Sequence, residues 1–322
     1  QSVPSEASGF SALLRRSAAR TSLIAGGDFH RVEGYSIETL FPTGNRTGGG
    51  VQSQGGFFSQ SDFSLGRARL FAGLRGHQTG NGFFWSPAGG LTGGFERLRF
   101  RLSGYRAFRA PTLNELYREF RAGNAVTLAN PNLQAETLNA VEAGFDALWS
   151  RRSLRFTAFR NSLGSLVTNV TILSTPALIT RQRRNAGSAL NRGVEASYRQ
   201  TWRGFSFDAV WLLADSRLQS GERVPQVARH QGSATLSWSR SLLSVSGGLR
   251  ASSLQFDDDR NQFVLPGFVA WHAAGRRKLA GPAWIEFAIE NALNRQILAG
   301  FTPAPLLASP RLLRLGLILM SR

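Results

Sequence analysis

The chain has 322 residues and a formal net charge of +18, and of its 38 basic residues only Lys278 is a lysine. It is 42% hydrophobic, with 35 glycines, 23 phenylalanines and no cysteine, a composition that excludes a disordered polymer, a disulfide framework and a thiolate metal site. The arginines are spread along the sequence without a stripe or tail, which argues against nucleic acid as a partner, and no stretch approaches the ~20 apolar residues of a membrane helix.

In chain order the sequence repeats one theme. Apolar residues alternate with polar ones over about ten residues at a time, which reads as a strand with one apolar and one polar face. Such segments run near 8–17, 21–34, 51–60, 66–77, 83–93 and 95–107, then 136–149, 153–170, 192–203 and 204–215. The last five run near 230–240, 242–254, 264–276, 282–294 and 310–320. In the sixth, Leu98, Phe100 and Leu102 alternate with Arg97, Arg99, Arg101 and Ser103. In the tenth, Phe205, Phe207, Ala209, Trp211 and Leu213 share a face. The connections alternate as well. "TGGFE", "WRG" and "SRSL" are short, whereas 35–50, 108–135, 171–191, 216–229, 255–263 and 295–309 are long.

Short turns at one end and long loops at the other are how outer-membrane barrels are built. The expected fold class is therefore all-β, a transmembrane antiparallel β-barrel. A soluble β-sandwich also alternates, but about fifteen strands of this length demand unusually long sheets. Tryptophans near strand ends, in "ALW", "YRQTW", "LSW" and "PAW", suit an aromatic girdle at the membrane interface.

Between the sixth and seventh segments stands a stereotyped break. "FRAP" (Phe108, Arg109, Ala110, Pro111) ends the strand, because Pro111 cannot donate to a ladder and biases Ala110 away from helix. Residues 112–120 then read as a short helix, and "NPNL" (Asn130, Pro131, Asn132, Leu133) makes the turn that sends the chain back. Further boxes keep the order: "GRARLFAGLRG" with "WSPAGGL" stands before this break, and "NAGSALNRGVEASY", "RVPQVARHQGSATLSW" and "IENALNRQI…SPRLLRLGL" follow it. Together, over most of residues 60–320, they resemble the C-terminal β-barrel portion of a TonB-dependent outer-membrane receptor.

The resemblance implies a barrel of about 22 strands with a plugged lumen, located in the Gram-negative outer membrane and surrounded by outer-membrane lipid and lipopolysaccharide. Residues 1–322 would supply about fifteen of those strands and no plug domain; the plug and the segment that grips the TonB energising complex are expected ahead of Gln1. An odd-numbered piece is not expected to close as a native barrel. The implied activity is energised uptake of a scarce nutrient by a monomer, with a ferric siderophore or related small-molecule metal chelate as cargo, no catalysis and no cofactor. The alternative is a plugless passive pore or a non-functional relic of such a receptor. A barrel enzyme or adhesin is a third reading. One departure from the family stands at the end, "LILMSR", where Ser321 lies near the place of a terminal aromatic.

The two boxes are expected to shape a loop, since turn chemistry already accounts for them. Arg97, Arg99, Arg101 and Arg155, opposite the apolar residues, are expected to line the lumen and attract anionic ligand. Residues 112–129 contain no histidine, which disfavours haem, because the family's haem receptors carry a ligating histidine between the boxes. Tyr117 is read as packing in preference to iron ligation. His30, His77, His230 and His272 lie far apart and are read as interfacial or lumen residues. In "FDDDRNQF" the consecutive Asp257, Asp258 and Asp259 lack the alternate spacing of a calcium loop and read as a solvated tip. No Gly-x-Ser-x-Gly, His-Glu-x-x-His or P-loop sequence occurs.

Overall fold

Period-two alternation keeps one face apolar only if the backbone is extended, and strands are what the chain forms. The structure, a computed structural model, describes residues 2–40, 44–80, 82–175, 177–301 and 304–319. The first strands are β1 (Ser5–Ser17), β2 (Thr21–Leu40), β3 (Gly44–Leu65), β4 (Ala68–Thr79), β5 (Gly82–Phe95) and β6 (Leu98–Arg109). A short helix α1 (Leu113–Tyr117) leads to β7 (Phe120–Ala122), β8 (Ala125–Leu128), β9 (Glu136–Leu148), β10 (Arg152–Gly164), β11 (Val167–Ser174) and β12 (Ile179–Asn185). There follow β13 (Ala189–Trp202), β14 (Phe205–Leu218), β15 (His230–Arg240), β16 (Leu243–Ser252), β17 (Gln255–Phe256) and β18 (Val264–Leu265). The chain finishes with β19 (Phe268–Lys278), β20 (Ala283–Glu290), β21 (Leu298–Gly300), β22 (Leu306–Leu307) and β23 (Leu312–Leu319).

Among the described residues, fifteen strands join one antiparallel sheet in the order β1-β2-β3-β4-β5-β6-β9-β10-β13-β14-β15-β16-β19-β20-β23. The other strands belong to the connections: a four-stranded sheet in the order β11-β12-β8-β7, and the small pairs β17-β18 and β21-β22. The residues group into two compact units, one of 1–93, 101–142 and 161–190, the other of 94–100, 143–160 and 191–322. No helix among the described residues is long and apolar enough to cross a membrane.

In the first unit, the expected loop over 35–50 is strand at 35–40 and 44–50, the residues between lying outside the described ones. Pairing of β2 with β3 continues unbroken from Thr21↔Phe63 to Leu40↔Gly44. The glycines of "TGGGV" hid this ladder from a reading based on alternating side chains, because pairing needs only backbone donors and acceptors. The expected strand 153–170 is likewise interrupted. Ser165 takes a positive φ of 54°, and β11 leaves the large sheet to pair with β12 instead.

In the second unit, the short connections are tight turns. Arg203 and Gly204 both have positive φ, 43° and 88°, the type I′ geometry that matches the right-handed twist of the flanking strands. Trp202, which stacks on Phe205, and Trp238, 6.3 Å from Phe205, lie on the apolar face beside this turn. Trp284 departs from the expected girdle. Its register partner is Lys278 and it lies under the guanidinium of Arg276, so it shares the polar face with Glu286. The place of Ser321 lies outside the described residues.

Burial is reversed relative to a protein that folds in water. Leu70, Leu74, Phe100, Leu102, Trp211, Leu315 and Leu317 are exposed, while the fully buried Leu133, Leu265 and Pro111 lie in connections. A continuous exposed apolar face with a polar face behind it is the arrangement that a lipid solvent requires of a closed or closing sheet.

Candidate functional site

The loop that follows β6 is built from charge. Thr112 is the N-cap of α1: its hydroxyl accepts from the Glu115 amide, and the Glu115 carboxylate accepts from the Thr112 amide, a reciprocal capping box. Arg109 then binds two acids at once. Its Nη1 lies 2.9 Å from Glu115 Oε2 and its Nε 2.7 Å from Glu136 Oε2. Glu136 is the first residue of β9 and also accepts from the Val167 amide at 2.7 Å. One arginine from the "FRAP" box thus ties together the end of β6, the helix, the start of β9 and the start of β11.

The "NPNL" box is anchored from the other loop. Asn130 Oδ1 accepts from the Asn132 amide, while its Nδ2 donates to the carbonyl of Arg183 at 2.8 Å. Leu133 is completely buried. Arg183 Nη1 donates to the carbonyls of Asn114 and Arg118, satisfying two acceptors at the end of α1. Asn185 holds both sides of the Gln134 peptide, accepting from its amide and donating to its carbonyl. The backbones also join directly, since β12 pairs in parallel with β8 from Ile179↔Ala125 to Gln182↔Leu128. Phe108 stacks on Phe84 with centroids 4.8 Å apart and lies 5.0 Å from His77. Pro111 is fully buried, and its carbonyl accepts from Gln52 at 3.0 Å.

The helix rests on β3. A Cβ at Gly50 would stand 2.6 Å from the Tyr117 ring, and one at Gly48 would stand 2.5 Å from the Tyr117 carbonyl oxygen. Tyr117 is therefore packed over a glycine run. Glu38 of β2 receives both Arg46 and Arg118, and Arg46 also pairs with Glu119. Burial pushes the Glu115 carboxyl up, but the Arg109 guanidinium and the Thr112 amide outweigh it and hold the group below the usual glutamate range. The Arg109 guanidinium is pushed further up by its hydrogen bonds to Glu136 and Glu115.

In the second unit, Arg99 and Arg155 come together. They line one cleft of about 430 Å³ with Asp146, Arg199 and Asp208. Arg155 Nε lies 2.8 Å from Asp146 Oδ1, and Arg199 pairs with Asp208, so much of this positive charge is already balanced. Arg97 is exposed at the adjacent turn, where its carbonyl accepts from the Leu148 amide. Arg101, half-buried in the first unit, is not among the cleft's lining residues. Nearer the long loops, a second cleft of about 480 Å³ gathers Glu195, Gln226, Gln231, Arg250 and Gln255.

The aspartate run is structural. Asp258 accepts from the amides of Arg260, Gln262 and Phe263, and Asp257 from the Phe301 amide and the Gln226 side chain. Among the described residues no group of three or more His, Cys, Asp or Glu side chains is placed to hold a metal ion. The histidines stay apart in role. His77 is buried between Arg75 and Gln54, His230 stacks on Trp211, and His272 lies 3.5 Å from Thr235.

Sequence reasoning found the boxes but missed most of what they hold. Glu136, Arg183, Asn185, Glu38 and Arg46 carry no local pattern. The Thr112-x-x-Glu115 capping signature was readable directly after Pro111.

Residues 7–292 match the model of the TonB-dependent receptor-like β-barrel. The chain belongs to that family. Such receptor barrels lie in the Gram-negative outer membrane, which accounts for the exposed apolar face. The receptor barrel superposes on the ferric enterobactin receptor PfeA (G324V mutant) of Pseudomonas aeruginosa at a TM-score of 0.76 and 16% identity, covering 98% of this chain and 53% of that one. It superposes on the copper transporter OprC at 0.79 and 13% identity, covering 96% and 57%. For the FrpB iron transporter of Neisseria meningitidis the values are 0.72, 15%, 98% and 54%. This chain therefore spans about half the length of the receptors it superposes on. No curated protein matches it.

Proposed function

We propose that residues 1–322 form the C-terminal barrel portion of an outer-membrane receptor that takes up a metal chelate with energy delivered through TonB, and that a ferric siderophore is the cargo. The family match over residues 7–292 carries this reading. The small positive excess of the cleft around Asp146 and Asp208, three arginines against two aspartates, supports an anionic cargo, because a cleft of net positive charge concentrates anionic ligands. Arg99, Arg155 and Arg199 around Asp146 and Asp208 are the residues assigned to that field, with Arg101 contributing from the strand of Arg99 and Arg97 from the turn before it. Phe108 to Pro111 and Asn130 to Leu133 are assigned to loop shape, with no direct ligand contact. Two of the solved neighbours are an enterobactin receptor and an iron transporter, and one is a copper transporter, so iron is the first cargo to test.

The test is uptake of radiolabelled ferric siderophores by cells that express the receptor from its whole gene and lack their own. Uncoupler-sensitive, saturable uptake of one chelate class is expected. Uncoupler-insensitive leakage of unrelated small solutes would replace this reading with a passive pore, and no flux of any kind would replace it with a relic.

A further inference from the structure

The polar face of the first unit holds a buried histidine whose tautomer is fixed by its neighbours. Strand registers set Asp28, Gly56, His77 and Phe84 in one row across β2, β3, β4 and β5. The row lies on the face opposite the exposed Phe29 and Phe57, and His77 is only 5% exposed. Arg75 of the same strand places its Nη2 2.8 Å from Asp28 Oδ1 and 2.7 Å from His77 Nδ1. One guanidinium nitrogen with two hydrogens thus donates to both, and a guanidinium can only donate. Nδ1 must therefore accept. The ring proton is then on Nε2, where Gln54 Oε1 lies 3.2 Å away as its acceptor. Gly56 makes room for the contact, since a Cβ there would stand 2.6 Å from His77 Nδ1 and 2.9 Å from Arg75 Nη2.

This histidine is also a seat. The ring of Phe108, the first residue of the "FRAP" box, lies 5.0 Å from it and stacks on Phe84 with centroids 4.8 Å apart. The loop after β6 therefore leaves the sheet from an aromatic pair that rests on His77. A second proton on the imidazole goes to Nδ1, the ring nitrogen that lacks one. That turns an acceptor into a donor aimed at a guanidinium 2.7 Å away and sets cation against cation. The other groups facing the ring give no relief. Asp28 of β2, the one carboxylate among the described residues that acts on it, is already held by Arg75. His30 of β2 offers no negative charge, β3 contributes the neutral Gln54, and β5 and β6 contribute the two phenylalanine rings.

We propose that His77 is an acid-sensitive catch: neutral, it seats Phe108 on the wall of the first unit, and protonated, it gives up Arg75 and unseats that ring. α1 and Arg109 keep their own hydrogen bonds, so acid loosens the root of the loop and leaves its body intact. The acidity of the medium then sets how freely that root moves.

The test uses the receptor produced from its whole gene, in detergent micelles, with nitrogen-15 in the histidine rings, 4-fluorophenylalanine in place of Phe108, and heat-modifiable migration as the check on folding. Ring nitrogen shifts report the tautomer, and the His77 signal is assigned by its loss in His77→Gln, or in His77→Phe where the glutamine variant does not fold. The Nε2–H form is expected at about pH 7.5, and protonation on the way to about pH 4.5. The fluorine signal is expected to move at the same midpoint and to narrow about twofold as the ring becomes mobile. It is expected to stay in place in the His77 variant and to keep its step in His30→Gln. An Nδ1–H tautomer at about pH 7.5 or a His77 still neutral at about pH 4.5 would overturn the assignment. So would a fluorine signal that ignores the protonation of His77, a step that persists in the His77 variant, or one that is lost in His30→Gln.

Discussion

At Arg109 three charges meet, and the geometry fixes what its loss does. Replacing it by alanine leaves Glu115 and Glu136 facing each other with no cation between them. Glu136 is only 14% exposed and Glu115 20%, but Arg109 itself is 45% exposed, so solvent screens part of the interaction. The expected local cost is about 1 kcal/mol. It is read as roughly fivefold faster amide exchange at Thr112 and Glu115, while strand amides of β4 stay protected. Acid acts on the same group. Glu115 has its carboxyl held below its ordinary value of 4.5, so its contribution is complete above that pH and is lost as pH falls through the lower folded value. Exchange at the α1 amides, corrected for intrinsic rates, is therefore expected to be flat from pH 7 to pH 5 and to accelerate below about pH 4. Arg109→Ala removes that acid step.

Between elements, the informative contacts are those that join connections to each other. β12 and β8 lie far apart in sequence and pair in parallel, so the two long loops of the first unit share one sheet. The chain has no cysteine, so Val126→Cys with Thr180→Cys, a register pair, gives a clean probe. A disulfide is expected to form in whole cells on mild oxidation, seen as a mobility shift that reductant reverses. Its absence would show the loops to be separate. Tyr117 over Gly50 offers a second probe. Gly50→Val is expected to force the ring away and weaken α1 protection, and Tyr117→Ala in the same chain to cancel most of that loss. A double-mutant cycle in which the effects simply add would refute the packing assigned to Tyr117.

For the molecule as a whole, heat-modifiable migration in detergent is expected, together with uptake that falls as salt rises if the arginine-lined face draws in an anion. Insensitivity to salt would remove that role from Arg99 and Arg155. The large sheet was legible in the sequence because period two is a local signal repeated about fifteen times. The loops were not. β7, β8, β11 and β12 are short, and their partners are chosen by long-range pairing that leaves no local mark. Glu136 and Glu38, which receive Arg109 and Arg118, sit singly in unremarkable contexts. Trp284 was assigned to the wrong face because a tryptophan near a turn suggests the interface, while its register with Lys278 decides otherwise.

The β2–β3 hairpin has one more consequence. Its strands run 20 and 22 residues, about twice the 9–11 residues a tilted strand needs to span a bilayer. At roughly 3.4 Å per residue, the surplus carries paired backbone about 30 Å along the strand beyond the apolar zone. Outward residues become mixed there, with Arg31 and Glu33 bonding each other between Phe29 and the exposed Tyr35 and Ile37. A stiff, water-facing ribbon of that height is a handle reachable from outside the cell. Antibodies or bacteriophage tail fibres raised or selected against intact bacteria have in residues 31–39 and 44–53 an epitope that keeps its shape without help from any ligand.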